Sequence, residues 1–374
     1  MNKVRILITS VGSLVGQNIL DALEYYAFLR RDKVTVIGTN SLYENANNFR
    51  CDVCYLVPNT SSDSFSSIMT EIIKKEEPDL ILSGRDEDTE AMWTLMEARP
   101  DLKGKLPYGN LNTILYALDK WQTWKFTKKH KLPFAETIRA DQANNPGKMK
   151  DFVKNVKFPL IAKPVRGFAS KGVFYIRSWK DVETAADFDN YIFQEYLGDP
   201  ANLKNYFNKM DSLTPLFAHT PNISHFSCHT IISPTGEISP VFISKNEHDS
   251  GVTTGFRKIQ NSELENLTLN YARAIFAEGG AGPLTVQFRQ NREGLWKAQE
   301  INLRTNGNTF PRLMFGQDDL GLIMKYFLPE YDFPVYSPKE DMTDDLVCKT
   351  LFCNRIDIDS IIGLKENQKW QQNK

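Results

Sequence analysis

The chain has no apolar run long enough to span a bilayer and no excess of either charge: 45 Lys and Arg stand against 46 Asp and Glu in 374 residues. The first absence excludes a helical membrane anchor. The second argues against a nucleic-acid partner, because a phosphate-tracking protein carries a basic patch and no block of like charge occurs here. No charged-then-apolar leader precedes Val4 to Ile8, so a soluble, cytoplasmic protein is expected. Cysteine is scarce and odd in number, at five. That count excludes a secreted disulfide framework. Cys51 and Cys54 form a CxxC that Cys348 and Cys353 notionally complete as zinc ligands. However, Cys51 to Val57 reads as a strand, where residues three apart face opposite sides, and the expectation is reduced, packed thiols. A GxGxxG is also missing. Gly12 and Gly16 stand at the first strand-to-helix turn, and no acidic residue follows at a second strand to hold a ribose. A dinucleotide site is therefore not expected, and the turn serves close helix packing.

What is present is an alternation of elements. Val4 to Thr9, Val34 to Gly38, Val53 to Val57 and Pro78 to Leu82 read as strands. Ser13 to Leu29, Phe65 to Lys75 and Asp88 to Glu97 read as helices between and after them. Strands alternating with helices predict a doubly wound parallel layer. Ser83 to Asp88 follows the fourth strand, with Asp86 expected as a helix cap and Arg85 as a substrate contact. After Leu106 to Gly109 the pattern becomes α+β, with strands near 136–139, 160–163, 172–176, 191–196, 225–232 and 238–244 and a helix near 262–276. Residues 198–223 read as an insertion loop, and the tail after Glu330 carries no readable motif.

The chemistry concentrates near the end. In Lys297 to Asn308, Glu300 and Asn302 share one strand face, and Gln287 ends the strand beside it. Oxygen donors so placed suit a hard divalent cation that also keeps phosphates and water. Arg304 continues along that face, and metal plus arginine is what a transferring phosphoryl group needs. Alternatively, the stretch is an ordinary hairpin with a polar solvent face. Lys163 ends an apolar strand before Arg166 to Gly172, a small-residue loop whose N–H groups can cradle phosphate and whose Gly ends let it close.

In this order, Leu118-Asp-Lys120, Ala162-Lys163-Pro164, Arg166 to Gly172, Phe193-Gln-Glu195-Tyr-Leu-Gly198, Gln287 and Glu300-Ile-Asn302-Leu-Arg304 resemble the ATP-grasp superfamily, in its carbamoyl-phosphate-synthase-like branch. The resemblance covers Met1 to about residue 330. It implies a pre-ATP-grasp doubly wound domain at 1–106 and an ATP-grasp domain at 107–330, whose two α+β subdomains clasp a nucleotide. The lid subdomain falls at about 133–190 and a C-terminal extension at 331–374. By the same resemblance Lys120 and Lys163 contact ATP phosphates, and Arg166, Ser170, Lys171 and Gly172 fold over them. Gln194, Glu195, Tyr196 and Leu197 form the hinge that reads adenine, with backbone groups and one carboxylate. Gln287, Glu300 and Asn302 hold magnesium, with manganese as an alternative. Lys245 and Arg257 are cations near the phosphates or the acceptor, or solvated hairpin tips. The usual Gly-x-Glu ribose contact is missing, leaving Asp199 or His225 for that role, and Leu303 replaces the usual proline. His225 and His229 face one side of a strand, where a metal pair is not expected.

The activity implied is an ADP-forming carboxylate–amine ligase acting on small-molecule substrates, with no nucleic-acid or membrane partner. Lys163, Arg304 and Asn306 are the catalytic candidates, Asn306 as an oxyanion donor or a turn former. A homodimer is an option because dimers are frequent in relatives. Two alternatives stay open: carbamoyl-phosphate-type phosphorylation of bicarbonate or carbamate, and an ATP-binding regulatory protein without turnover. The residues name neither the carboxylate nor the amine.

Overall fold

The computed structural model describes residues 3–25, 31–102, 105–143, 145–167, 170–208, 214–215, 225–249, 252–336, 345–350 and 354–372. The chain opens with β1 (Val4–Ile8), β2 (Val34–Asn40), β3 (Val53–Leu56) and β4 (Leu80–Leu82), all parallel, in the order β3-β2-β1-β4. Their residues are buried on both faces, as a helix-covered parallel layer requires. The helix Leu14–Glu24 starts at Ser13, whose hydroxyl accepts from the Gly16 N–H at 3.0 Å. Gly16 lets that helix close on the β1 turn, since a Cβ there would lie 2.5 Å from the Val11 carbonyl oxygen. The expectation of a close-packing turn holds. That of opposed thiols does not: Cys51 precedes β3 instead of lying within it, and the buried Cys51 and Cys54 sulfurs both approach Gly38. Both are free cysteines; Cys353 lies outside the described residues.

A second sheet follows, antiparallel, from β5 (Thr137–Arg139), β6 (Leu160–Pro164), β7 (Phe174–Ile176), β8 (Tyr191–Glu195) and β9 (Thr214–Pro215), ordered β5-β8-β6-β7-β9. Leu160, Ala162, Ile176 and Phe193 pack on one face with residues of the helices Pro146–Val156 and Trp179–Ala186. Lys163, Ile161, Ile192 and Gln194 therefore lie on the other. The 198–223 segment is not all loop where it is described: it holds short helices Pro200–Leu203 and Lys204–Phe207 as well as β9.

The third sheet comprises β10 (His225–Ile232), β11 (Phe242–Asp249), β12 (Val252–Ile259), β13 (Gly282–Gln290), β14 (Trp296–Asn302) and β15 (Val347–Cys348), ordered β14-β13-β10-β11-β12-β15. One face carries Cys228, Ile243, Leu284, Val286, Phe288 and Ile301 against the helix Ser262–Ala277, which supplies Leu264, Tyr271 and Ile275. The chain then returns to the first sheet: Leu313, Leu320, Ile323 and Met324 join the core around β1–β4. The tail borders two sheets, since β15 pairs with β12 and β16 (Lys369–Gln371) pairs antiparallel with β3. Among the described residues no helix is long and apolar enough to cross a membrane.

In an exposed helix Gly→Ala stabilises by about 1 kcal/mol. At Gly16 the clash with fixed backbone reverses the sign, and Gly16→Ala is expected to cost about 1–3 kcal/mol. Urea unfolding measures this; an unchanged or higher midpoint would contradict the packing argument.

Candidate active site

Antiparallel pairing sets Gln287 opposite Glu300 and Thr285 opposite Asn302. A bulge beside Gln287 adds Gln299 to β14 and keeps Glu300 and Asn302 on the face away from the apolar core. Asn302 Nδ2 lies 3.5 Å from Glu300 Oε1, and Gln299 Nε2 donates to Gln287 Oε1 at 3.4 Å. The three oxygen-bearing side chains expected as metal donors thus stand on adjacent strands and one face. One carboxylate and two amides are too little charge to cage a divalent ion alone, but they fit magnesium that also keeps phosphates and water.

The second sheet faces this one. Lys163 is buried at the end of β6, and its Nζ donates to the Gln299 carbonyl at 3.3 Å. Burial and the neighbouring Lys120 push its pKa down to about 7, only partly opposed by Glu300. Lys120 opens the helix Lys120–Lys129, where Asp119 accepts from the Trp121 and Gln122 N–H groups. Its Nζ reaches the Gly167 carbonyl at 3.1 Å, within the loop expected to act as a lid. Arg166 of that loop pairs with Glu90 of the helix Asp86–Ala98 at 2.8 Å. Asp86, Glu90, Lys120, Arg166, Glu300 and Asn302 line one cavity of about 50 Å³. A drug-sized ligand pocket is on the order of 300 Å³ or more, so this cavity covers only part of such a site. The exposed Arg166–Glu90 pair is a weak latch, worth less than about 1 kcal/mol. Ser170 and Gly172, at φ of 55° and 70°, form the left-handed turn that ends this loop, with exposed Lys171 between them; Phe168 and Ala169 lie outside the described residues.

Several expected site residues have partners within the chain. Arg304 stands beside the metal donors as a fixed cation: it makes a two-pronged ion pair with Asp86 at 2.5 and 2.8 Å and donates to Asn302 Oδ1 at 3.3 Å. Asp86 is accordingly no cap; Arg85 precedes the helix and Asp86 is its first residue. A doubly charged fork outbids a cap for the same carboxylate. Asn306 faces inward: its amide donates to Thr285 at 2.8 Å and accepts from the Asn308 N–H and from Arg312. Arg312 also binds Asp319, which stands 3.2 Å from His229. His229 is thus a core residue, where burial and Arg312 hold its pKa below the ordinary imidazole value. Asp199 caps the helix Pro200–Leu203, one carboxylate oxygen accepting from the Ala201 N–H at 2.9 Å. Lys245 and Arg257 are cross-strand partners of Phe226 and of each other, on the face opposite Glu300, and both are exposed.

At the hinge, Gln194 is buried and donates to Thr137 at 3.2 Å, while Tyr196 and Leu197 are buried. The Glu195 carboxylate accepts from the Glu136 N–H at 3.1 Å and pairs with Lys297 at 2.7 Å, joining the two antiparallel sheets instead of standing free for a base. His225 contacts Arg289 at 2.9 Å. Arg289, Lys297, Asp86 and Glu90 were missed. The first was within reach, because Arg289 follows Gln287 by two residues on one strand. The acidic pair was not: its partners Arg304 and Arg166 lie 218 and 76 residues away in the chain.

A bound polyphosphate would raise the lowered pKa of Lys163 again, so binding takes up a proton between about pH 7 and the ordinary lysine value. Tripolyphosphate affinity is expected to fall as pH rises above 7. Calorimetry at pH 8 in two buffers of different ionisation enthalpy measures the uptake, and identical heats in both would refute it.

No protein-family model and no curated protein matches the sequence. Solved structures do. N5-carboxyaminoimidazole synthetase from Staphylococcus aureus, complexed with ADP, matches at a TM-score of 0.64 and 13% identity over 87% of this chain and 78% of its own. The L-amino acid ligase of Bacillus licheniformis matches at 0.59 and 12%, over 90% and 78%. The biotin carboxylase domain dimer of Hydrogenobacter thermophilus 2-oxoglutarate carboxylase, with MgADP, ADP and bicarbonate, matches at 0.65 and 10%, over 92% and 74%. At such identities the likeness concerns the architecture, and that architecture, with its parallel first sheet and two facing antiparallel sheets, is the ATP-grasp fold.

Proposed function

We propose that this protein is an ATP- and magnesium-dependent ligase that activates a small carboxylate as an acylphosphate for attack by an amine, giving an amide, ADP and phosphate. One observation carries the reading: Glu300 and Asn302 line a single cavity with Lys120, beneath a lid loop and beside the buried Lys163. The ADP and MgADP named for the structural neighbours support a nucleotide cosubstrate, and the L-amino acid ligase among them supports the ligase class.

A carboxylate oxygen attacks the terminal phosphorus, the bond from that phosphorus to the bridging oxygen breaks, and ADP departs. Magnesium held by Gln287, Glu300 and Asn302 would supply neutralisation of the phosphate charge. Lys120 and Lys163 hold phosphate oxygens in line, and Lys163 in its protonated form adds positive charge as ADP leaves. The loop carrying Arg166 excludes water that would hydrolyse the acylphosphate. The amine nitrogen then attacks the acyl carbon, the carbon–oxygen bond to phosphate breaks, and the nitrogen loses a proton. Arg304 acts as a positioning residue, fixing Asn302 and Asp86. Of the acidic residues on the cavity wall, Asp86 and Glu90 are paired with Arg304 and Arg166.

ADP release across a panel of carboxylates and amines tests the reading. Glu300→Ala is expected to lower substrate-dependent release by at least about 100-fold with the fold intact. Full turnover in that variant refutes the assignment. Tight ATP binding by the native protein with no turnover on any pair supports the regulatory alternative instead.

A further inference from the structure

Arg289 is a charged group of the cleft that the mechanism above leaves unused. It lies on the same face as Gln287, one pair of residues further along β13, with Lys297 opposite it on β14. Two residues of strand move it about 7 Å from the Gln287–Glu300 row, toward the hinge that Lys297 ties down through Glu195. Its side chain is buried, with 8% exposure. Its Nη2 contacts His225, but among the described residues its Nε has no hydrogen-bond partner and no carboxylate pairs with it. Glu195 of the hinge pairs with Lys297, the cross-strand neighbour of Arg289. Burial weighs against the Arg289 charge, with only the phenols of Tyr196 and Tyr175 opposing it, and Lys163 adds a second cation close by. An unpaired guanidinium in such a place is strongly unfavourable unless an anion joins it.

The position says which anion. This step rests on the reading of the cleft as a nucleotide site, with the terminal phosphate at Glu300 and Asn302 and the base at the hinge. A cation about 7 Å from the metal row toward the hinge meets the sugar-proximal end of that ligand. We propose that Arg289, its fork steadied by His225, donates to an oxygen of the α-phosphate. The contact is made to AMP, ADP and ATP alike and not to adenosine. Fixed cations then span both ends of the phosphate chain.

Calorimetry on the full-length protein with adenosine, AMP and ADP tests this. Arg289→Gln is expected to weaken AMP and ADP by about 10- to 100-fold and adenosine by less than about 2-fold. Without ligand, Arg289→Gln should melt at the same temperature or higher, because it removes an unpaired buried charge. Arg289→Lys, which keeps the charge, should retain part of the ADP affinity. Unchanged AMP and ADP binding in Arg289→Gln, an equal loss for adenosine, or a fold destabilised by both variants would each overturn the proposal. If the native protein binds no nucleotide, the reading of the cleft fails and this contact with it. Undiminished ADP binding in Arg289→Gln overturns this contact alone.

Discussion

The pairing register of β13 with β14 is the constraint on which the site depends. With Gln287 opposite Glu300, the residues Val286, Phe288 and Ile301 enter the core and the polar set faces the cleft. A slip of one residue would exchange the two faces. The apolar residues resist that exchange, since each is fully buried and worth roughly 2 kcal/mol on transfer from water. The same register sends Lys245 and Arg257 to the far side. Packing of the core and placement of the chemistry are therefore one decision, made by alternation along the strands.

Charge is handled unevenly across the cleft. Arg304 is balanced by Asp86, Lys297 by Glu195 and Arg166 by Glu90, and each pair joins distant parts of the chain. Lys163 is buried and answered only by carbonyl oxygen and by the field of Glu300, which leaves it partly neutral near pH 7. Positive charge that burial disfavours and a polyanion would restore suits a cleft whose affinity rests on electrostatics in a low-dielectric setting. The balanced pairs tie the elements together, and on the proposed reading the less balanced cations would meet the phosphates.

The tail, unreadable as a motif, covers open edges of two sheets. Trp370 of β16 meets the ring of Phe49 edge-on at 5.4 Å, and Lys349, just after β15, donates to Asn308 Oδ1 at 2.8 Å. That contact joins the turn after β14 to the tail. Burial lowers the Lys349 pKa to about 8.

Much of this was legible in the residues themselves. Alternation of apolar runs disclosed the parallel layer, and the two-residue spacing of Glu300 and Asn302 disclosed the cleft face. Lys120 behind Asp119 and Lys163 at a strand end were equally readable, because caps and strand ends are local events. What stayed hidden involved partners far apart. Asp86 looked like a cap until Arg304 reached it, Asn306 was open between an oxyanion donor and a turn former until its bonds to Thr285, Asn308 and Arg312 were seen, and the partner of Glu195 was Lys297 on another sheet. Periodicity and turn chemistry act over a few residues, so sequence alone settled which elements form and which faces are polar. Which charges neutralise one another depends on distances between elements, and only the tertiary structure decided that.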